Sequence, residues 1–286
     1  MNQNCSRCQR PGGRNSSYLR LSDDVKVTQY RCFSCKRTWT DLTDNPEKGQ
    51  RLRSMNRSLR LLLCSSVSMR RSAKLLRINP KTVARRVSYF AKKARAEAAA
   101  SQATSRPCTE IYLDELITFE HTRCKPVAVC MAVSKDRKIL ALSVSSMPAI
   151  GKHLRQVSLR KYGIRPNLRR KGFASCLEKI RPTVGRDTVF MTDEEPSYAS
   201  LIQKHYPEQP HRQFRSKRAV IAGQGELKDH SFDPLFAINH TFAMLRANLA
   251  RLVRRTWATT KRMAKLEEFL QIYAAFHNLE LTAQES

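Results

Sequence analysis

Three consecutive strand-forming runs in residues 109–145 constrain the fold of this chain more than any other segment. The first, Glu110–Phe119, carries two adjacent acids, Asp114 and Glu115, among β-branched and apolar residues. The second, Pro126–Val133, is almost wholly apolar, as expected of a strand covered on both faces, and a turn leads from it into the third. A carboxylate pair inside a sheet is costly without compensation, so these acids either pair with arginine, turn to solvent or bind cations.

The charge balance of the chain favours nucleic acid as its partner. Among 286 residues, 53 are Lys or Arg and 24 are Asp or Glu, which gives a formal net charge of +29. A basic side chain that contacts a phosphate releases condensed counterions, and this release drives binding to polyanions. Residues 1–107 contain 24 of the basic residues and 6 of the acidic ones, so we expect this part to contribute most of the DNA binding.

The apolar runs and the cysteines indicate a cellular compartment. No apolar run approaches the roughly 20 residues that span a membrane, and nothing resembles a signal peptide, so we expect a cytoplasmic protein with no membrane partner. Nine cysteines in such a chain favour reduced thiols and metal ligation over disulfides.

Two C-x-x-C pairs near the N-terminus predict a structural zinc site. Cys5 and Cys8 form the first pair, and Cys32 and Cys35 follow after a 23-residue spacer. Four thiolates at this spacing are the ligand set of a tetrahedral zinc ion, and the spacer fits a ribbon of short β-hairpins. Because four thiolates leave no open coordination position, the ion is expected to hold a zinc ribbon, residues 1–44, in its folded state without a catalytic role.

Residues 45–100 carry the pattern of a helix-turn-helix DNA-binding domain. A first helix is followed by a turn of about three residues, and then Asn79 and Pro80 are a favoured N-cap and first residue of a second helix. The face expected to enter the major groove carries Lys81, Thr82, Arg85 and Arg86. A plain helical hairpin on a basic protein would give a similar pattern. The Ser, Thr and Pro residues that follow predict a linker at 101–108.

A second acidic strand completes the α/β domain predicted for residues 109–286. Residues 187–193 have the pattern of a buried strand that ends at Asp193, and a helical pattern follows. The resulting element order is that of the ribonuclease-H-like fold: an acidic strand, two more strands, a helix, a strand ending in an acid, and a helix. Its chemistry needs carboxylates on neighbouring strands, which hold two divalent ions about 3.5–4 Å apart. Asp114 and Asp193 are the predicted catalytic ligands of Mg²⁺ or Mn²⁺.

Several short segments resemble motifs of one protein family. Tyr112–Phe119 is similar to a first-acid strand of the form D-E-x-W-x-F, and Met191–Glu195 with Tyr198 is similar to a second-acid segment of the form T-D-x-x-x-x-Y. Asn239–Thr241 and Arg255–Thr259 resemble parts of a C-terminal helical segment. These segments, together with the order of zinc ribbon, helix-turn-helix and acidic α/β domain, give the chain a resemblance to the DDE-type transposases of small bacterial insertion sequences.

The resemblance implies a DNA transposase. Such an enzyme binds the terminal inverted repeats of its insertion sequence, cleaves DNA with two Mg²⁺ or Mn²⁺ ions, and joins the freed 3′-hydroxyl to target DNA. It implies a homodimer or a higher oligomer on double-stranded DNA, associated with the bacterial nucleoid. Two alternatives stay open: a non-catalytic DNA-binding regulator derived from a transposase, and a structure-specific nuclease of the same fold.

The third catalytic residue is where the sequence departs from the family. In the family this metal ligand is usually a Glu, sometimes an Asn, set in a helix among residues such as H-x-N-x-x-E. Aligned in this way, the chain has Ala243 at the Glu position. We predict that His240 takes the role, because a neutral imidazole can bind a divalent ion and suits Mn²⁺ better than Mg²⁺. Asn239, Glu226 and Asp233 are the alternatives.

Overall fold

The computed structural model describes residues 4–21, 25–41, 47, 50–215, 233–252 and 259–284. The chain divides into two compact units, Met1–Leu59 and Arg60–Ser286. The predicted domain boundary after residue 44, Glu226 and most of the segment Arg255–Thr259 lie outside the described residues.

The first unit contains a small antiparallel sheet of three strands in the order β1-β2-β3, which are Gly12–Arg20, Val25–Cys32 and Thr38–Thr40. The ring of Trp39 stacks on Tyr30 with 5.9 Å between ring centroids. Gly12 leaves the space that Trp39 fills, since a Cβ at Gly12 would stand 2.3 Å from the indole ring. The mixed α/β composition and this cysteine-bearing β unit agree with the expected multidomain fold class.

Three helices follow: α1 (Met55–Leu63), α2 (Met69–Leu75) and α3 (Pro80–Thr104). The predicted cap is confirmed, because Asn79 Oδ1 accepts a hydrogen bond from Lys81 N at 2.8 Å and Pro80 is the first helical residue. The predicted linker at 101–108 is wrong for its first half, since α3 continues to Thr104. Part of α3 packs against the last helix of the chain, and near its own end Gln102 donates a hydrogen bond to the carbonyl of Leu140.

A five-stranded mixed sheet forms the centre of the second unit. Its strands are β4 (Cys108–Phe119), β5 (Pro126–Ser134), β6 (Ile139–Ser146), β7 (Val184–Asp193) and β8 (His211–Phe214). Strands β4 and β5, and β5 and β6, pair antiparallel, whereas β4 and β7, and β7 and β8, pair parallel. The order across the sheet is β6-β5-β4-β7-β8, so the three consecutive strands predicted from residues 109–145 form one antiparallel half.

Helices cover both faces of this sheet. On one face α5 (Arg169–Lys179) and α6 (Pro196–His205) pack on alternate residues of the strands, in a core that includes Ile111, Leu113, Phe173 and Phe190. On the other face, α7 (Phe236–Asn248) packs against β4 and β5, and α8 (Met263–Gln284) packs against β6, so the opposite side chains of β5 are equally buried. The helix α4 spans Lys152–Tyr162.

The turn between α1 and α2 closes the C-terminal end of α7. Ser66 donates its backbone N–H to the carbonyl of Asn248 at 2.8 Å and its hydroxyl to the carbonyl of Ala247 at 2.6 Å. The last carbonyls of a helix have no partner inside the helix, so these two bonds satisfy groups that would otherwise need water. The helices α2 and α3 therefore belong to the same compact unit as the sheet.

The free edge of β6 is closed by side chains instead of another strand. Asn278 of α8 accepts a hydrogen bond from Ile139 N at 2.8 Å and donates one to Ile139 O at 3.0 Å. Lys179 Nζ donates to the carbonyl of Leu142 at 2.7 Å. His277 Nε2 lies 3.0 Å from the carbonyl of Arg137, at the start of the same edge. Unpaired edge groups invite pairing with other chains, and these side chains remove that opportunity.

We expect Asn278→Ala to lower the free energy of unfolding by about 1–3 kcal/mol, because it leaves a part-buried N–H and C=O of β6 without partners. Urea unfolding followed by circular dichroism measures the change. Leu279→Ala, at a neighbouring position that is 53% exposed, is the control and should stay within about 0.5 kcal/mol of the wild type. Equal effects of the two substitutions would contradict the role given to Asn278.

Candidate functional site

The four predicted cysteine ligands lie together in the first unit. Their Sγ atoms are all within 4.8 Å of one another, with Cys5 and Cys35 at 3.6 Å and Cys8 and Cys32 at 3.5 Å. A tetrahedral ion with sulfur ligands at about 2.3 Å separates those ligands by about 3.8 Å. The cluster therefore has the size of a single four-coordinate metal site.

The two cysteine pairs are built on the same backbone conformation. Gln9 and Lys36, which follow the second cysteine of each pair, both adopt left-handed φ angles of 56° and 59°. The N–H of Cys5 and the N–H of Cys32 each donate to a carbonyl five residues further on, both at 2.9 Å. A hydrogen bond from the backbone N–H of Cys35 is the main cause that lowers the pKa of Cys32 to about 6. The backbone hydrogen bonds favour the thiolate form of Cys5 and Cys32, which is the form that binds metal. Burial and the neighbouring thiols raise the pKa of Cys35 to about 11.

Asp114 and Asp193 lie side by side on neighbouring parallel strands. The register pairs Ile111 with Phe190 and Tyr112 with Met191, so its continuation sets Asp114 opposite Asp193. Strand pairing stops at Tyr112 and Met191, so the acids stand where β4 and β7 separate. Burial, together with the negative charge of Asp193, raises the pKa of Asp114 to about 7.

This pair of carboxylates is suited to binding a cation. Burial also raises the pKa of Asp193, so both acids are held in surroundings that disfavour their charged form. A divalent cation between them would offset this cost, and carboxylate oxygens are the ligands that Mg²⁺ and Mn²⁺ prefer. Among the described residues, the four cysteines are the only group of three or more His, Cys, Asp or Glu side chains close enough to share one ion. The two aspartates form a pair without such a third member.

Glu115 has a different role from its neighbour. Its Oε2 accepts hydrogen bonds from Arg169 Nε at 2.9 Å and Nη2 at 2.6 Å, and its side chain is 3% exposed. Successive residues of a strand point to opposite faces, so Glu115 faces α5 and Asp114 faces away from it. Arg169 also lies 3.6 Å from Glu195, two residues after Asp193. The sequence left open which acid pairs with arginine, and the structure assigns that contact to Glu115.

His240 does not make the contacts expected of a third metal ligand. Its Nδ1 is 3.3 Å from the guanidinium of Arg137, and partial burial and this cation both lower its pKa. A guanidinium at that distance would repel a metal ion. The residue of α7 whose charge acts on Asp114 is Arg246, six positions and about 9 Å further along the helix. The described contacts therefore do not bring His240 together with Asp114 and Asp193.

Two of the alternative ligands are joined at the start of α7. Asp233 Oδ2 accepts a hydrogen bond from Asn239 Nδ2 at 2.9 Å, and its Oδ1 accepts one from the N–H of Leu235 at 2.9 Å. Asn239 precedes Arg246 by seven positions, which sets the two on one face of the helix, whereas His240 is about 120° away from Arg246. Asn239 therefore lies on the same face of α7 as Arg246, whose charge lowers the pKa of Asp114.

The predicted DNA-facing residues of α3 divide into two groups. Lys81 and Arg85 are exposed and Thr82 is half-buried, as a groove-facing surface requires. Arg86 is buried, at 7% exposure, so its predicted place on that surface is wrong. The reason is helical phase, because Arg86 follows the fully buried Val83 by three positions and so lies on the inward side. The exposed basic residues of α2, the turn and α3 are Arg70, Arg71, Lys74, Arg77, Lys81 and Arg85.

Comparison with known proteins adds no assignment. No protein-family model matches this sequence, and no curated protein matches it. Across the described ranges, no helix is both long enough and apolar enough to cross a lipid bilayer.

Asp114→Asn should stabilise the metal-free protein at alkaline pH. The folded pKa of about 7 lies above the ordinary value of 3.8, so the protonated carboxyl favours folding and this contribution is lost as pH rises through 7. The amide cannot ionise, and we expect its melting temperature in EDTA to exceed the wild-type value at pH 8, by about 2–4 °C for each kcal/mol recovered. At pH 5 the difference should shrink.

The control for this prediction is Asp187→Asn, at an exposed position on β7, and it should leave both melting temperatures unchanged. A melting temperature for Asp114→Asn that is equal to or below the wild-type value at pH 8 would contradict the description of Asp114 as a buried carboxyl destabilised by its neighbour.

Proposed function

We propose that the second unit is a ribonuclease-H-like nuclease domain and that the protein is a DNA transposase. The observation that carries the proposal is the parallel pairing that sets Asp114 beside Asp193 at the point where their strands separate. The strand order β6-β5-β4-β7-β8, antiparallel for the first three strands and parallel for the last two, supports this fold. The exposed cations of α2 and α3 support DNA as the substrate.

Asp114 and Asp193 would hold the Mg²⁺ or Mn²⁺ ions. When bound, the ions supply the positive charge that activates the attacking oxygen and stabilises the leaving oxygen of a phosphodiester. Glu115 and Arg169 position these ligands, because their ion pair links β4 to α5 and Arg169 also contacts Glu195 next to the second acid. Burial of the acids limits water around the ligands, which strengthens their attraction for a cation.

We assign the third oxygen donor to Asn239, supported by Asp233, in place of His240. Asn239 lies on the same face of α7 as Arg246, whose charge acts on Asp114. Its amide oxygen is a ligand that Mg²⁺ accepts. Its amide nitrogen donates to Asp233, which orients the side chain. An amide in place of a carboxylate leaves the site with one negative charge fewer. The affinity for the divalent ion is then lower, so the site needs a higher metal concentration to be filled.

The cysteine cluster is assigned to a structural zinc ion. Four thiolates are soft ligands that suit Zn²⁺ better than Mg²⁺ or Ca²⁺, and a filled tetrahedral set leaves no position for a substrate. The zinc ribbon and the helices α2 and α3 would bind the terminal inverted repeats. Transposition pairs two DNA ends, so we infer a homodimer or a higher oligomer on DNA, at the nucleoid of a bacterial cytoplasm.

A non-catalytic DNA-binding regulator is the second candidate function. The observation in its favour is that no third carboxylate joins Asp114 and Asp193 within the described part of the chain. A structure-specific nuclease of the same fold would share the aspartate pair and would cleave DNA without joining strands. Activity measurements separate the three possibilities.

The decisive experiment is a cleavage and strand-transfer assay with Mn²⁺ on a duplex that carries the inverted repeats flanking the gene. We expect Asp114→Asn and Asp193→Asn each to reduce both activities more than about 100-fold, equivalent to about 2.7 kcal/mol of transition-state stabilisation. DNA binding should persist in both variants. Asn239→Ala should lose activity as well, and His240→Gln should keep it.

The wild-type protein and matched controls decide among the candidate functions. Asp187→Asn should retain full activity, because this exposed acid lies outside the site. Wild-type protein that binds the repeats but never cleaves them would identify a regulator. Cleavage without strand transfer would identify a nuclease. Normal cleavage by either aspartate variant would refute the proposed site.

Metal analysis of the purified protein should find about one zinc ion per chain. We expect Cys32→Ser to lose this ion, because three thiolates and a hydroxyl bind zinc far more weakly than four thiolates. Cys108→Ser, at a half-buried thiol outside the cluster, is the matched control and should keep it. Full zinc content in the Cys32→Ser protein would show that the cluster does not hold the metal.

A further inference from the structure

We propose that the exposed face of α4 is a second DNA-binding surface, which holds the phosphate backbone of duplex DNA without reading its sequence. The inference rests on the proposed function, because it takes duplex DNA as the substrate. It adds a binding element that belongs to the α/β part of the chain and is separate from α2 and α3.

The first observation is an uninterrupted positive charge. Residues 137–177 contain ten Lys and Arg residues and no Asp or Glu, and α4 lies in the middle of this segment. The exposed cations on α4 are Lys152, Arg155, Arg160 and Lys161. No described carboxylate forms a salt bridge with any of these four side chains. A surface of one charge sign without internal compensation is suited to a polyanion.

The second observation is the shape of this face. Lys152 and Arg155 line a surface cavity of about 410 Å³ together with Gln156 and Leu159. Arg155 and Gln156 lie three and four positions after Lys152, and Leu159 lies four and three positions after them, so the four side chains form one continuous stripe. A shallow basic recess with an amide donor can receive phosphate oxygens, and it offers no carboxylate that would repel them.

The third observation is the position of α4 relative to the two aspartates. Its one buried residue, Ser158, donates a hydrogen bond to the carbonyl of Cys124 at 2.7 Å, in the turn that follows β4. Lys125 of the same turn lies over the ring of Tyr162, 5.5 Å from its centroid. This turn is at the end of the sheet towards which β4 and β7 both run, where Asp193 ends its strand. DNA held on α4 would therefore lie at the same end of the sheet as the carboxylates.

The test is a triple variant, Lys152→Gln, Arg155→Gln and Arg160→Gln, in the full-length chain. Its affinity for a random-sequence 30-base-pair duplex would be measured by fluorescence anisotropy at several NaCl concentrations in EDTA. We expect at least tenfold weaker binding at low salt. The slope of log affinity against log salt should fall by about 2–3, because each lost phosphate contact removes about 0.9.

Two comparisons make the result specific. A matched control with Arg181→Gln, Arg186→Gln and Lys204→Gln removes the same charge from exposed positions elsewhere, and it should change affinity less than twofold. Arg85→Gln should weaken discrimination between sequences, which the α4 variant should leave intact. Far-ultraviolet circular dichroism would check that each variant is folded.

Three outcomes would overturn the proposal. The α4 variant could keep the wild-type affinity and salt slope, or the matched control could lose as much affinity as the α4 variant. Alternatively, the α4 variant could change the sedimentation coefficient with its DNA affinity intact, which would make this face a contact between protein chains. Because binding is measured without metal, an inactive aspartate site would leave the result for α4 interpretable, so the two proposals can fail separately.

Discussion

The parallel pairing of β4 with β7 is the interaction on which the rest of the candidate site depends. Its hydrogen-bond register decides that Asp114 meets Asp193, and a slip by one residue would turn one of the acids to the opposite face of the sheet. The long crossover between β6 and β7 makes this pairing possible, because parallel neighbours need a connection of many residues. The core between the sheet and α5 and α6 fixes the register, with Ile111 and Phe190 both fully buried in it.

Burial of charge is the cost of this arrangement, and the structure offsets it differently for adjacent residues. Glu115 is almost fully buried, and two hydrogen bonds from Arg169 compensate its charge. For Asp114, burial and a second acid nearby raise the pKa to about 7. Removing Arg169 would leave Glu115 without its counter-charge, a change that is strongly destabilising in proteins. One strand thus carries a carboxylate paired with an arginine on one face and a carboxylate beside a second acid on the other.

Local patterns in the sequence predict the parts of this molecule that local chemistry determines. The paired cysteines, the Asn79 cap and the strand that ends at Asp193 each follow from a few neighbouring residues, and each is found in the structure. The burial of Arg86 depends on which side of α3 meets the rest of the unit, and the burial of Val83, three positions earlier, identifies that side in the structure. The contacts of His240 depend on the tertiary fold as well, because its neighbour Arg137 is 103 residues away in the sequence. The end of α3, at residue 104, also has a contact far away in the sequence, because Gln102 donates a hydrogen bond to the carbonyl of Leu140 on β6.

The cap that Ser66 places on α7 has a consequence for how such a chain can be altered. Helix-turn-helix segments are often treated as interchangeable modules that can be cut out and replaced. Here the turn before α2 satisfies the last carbonyls of α7, and α3 packs on α8, so the segment is built into the unit that carries the aspartates. Exchanging it whole would expose the end of α7 and the side of α8. Under the proposed function, the DNA sequence preference would have to be changed by single substitutions on the exposed surface of α2 and α3, which leave those internal contacts in place.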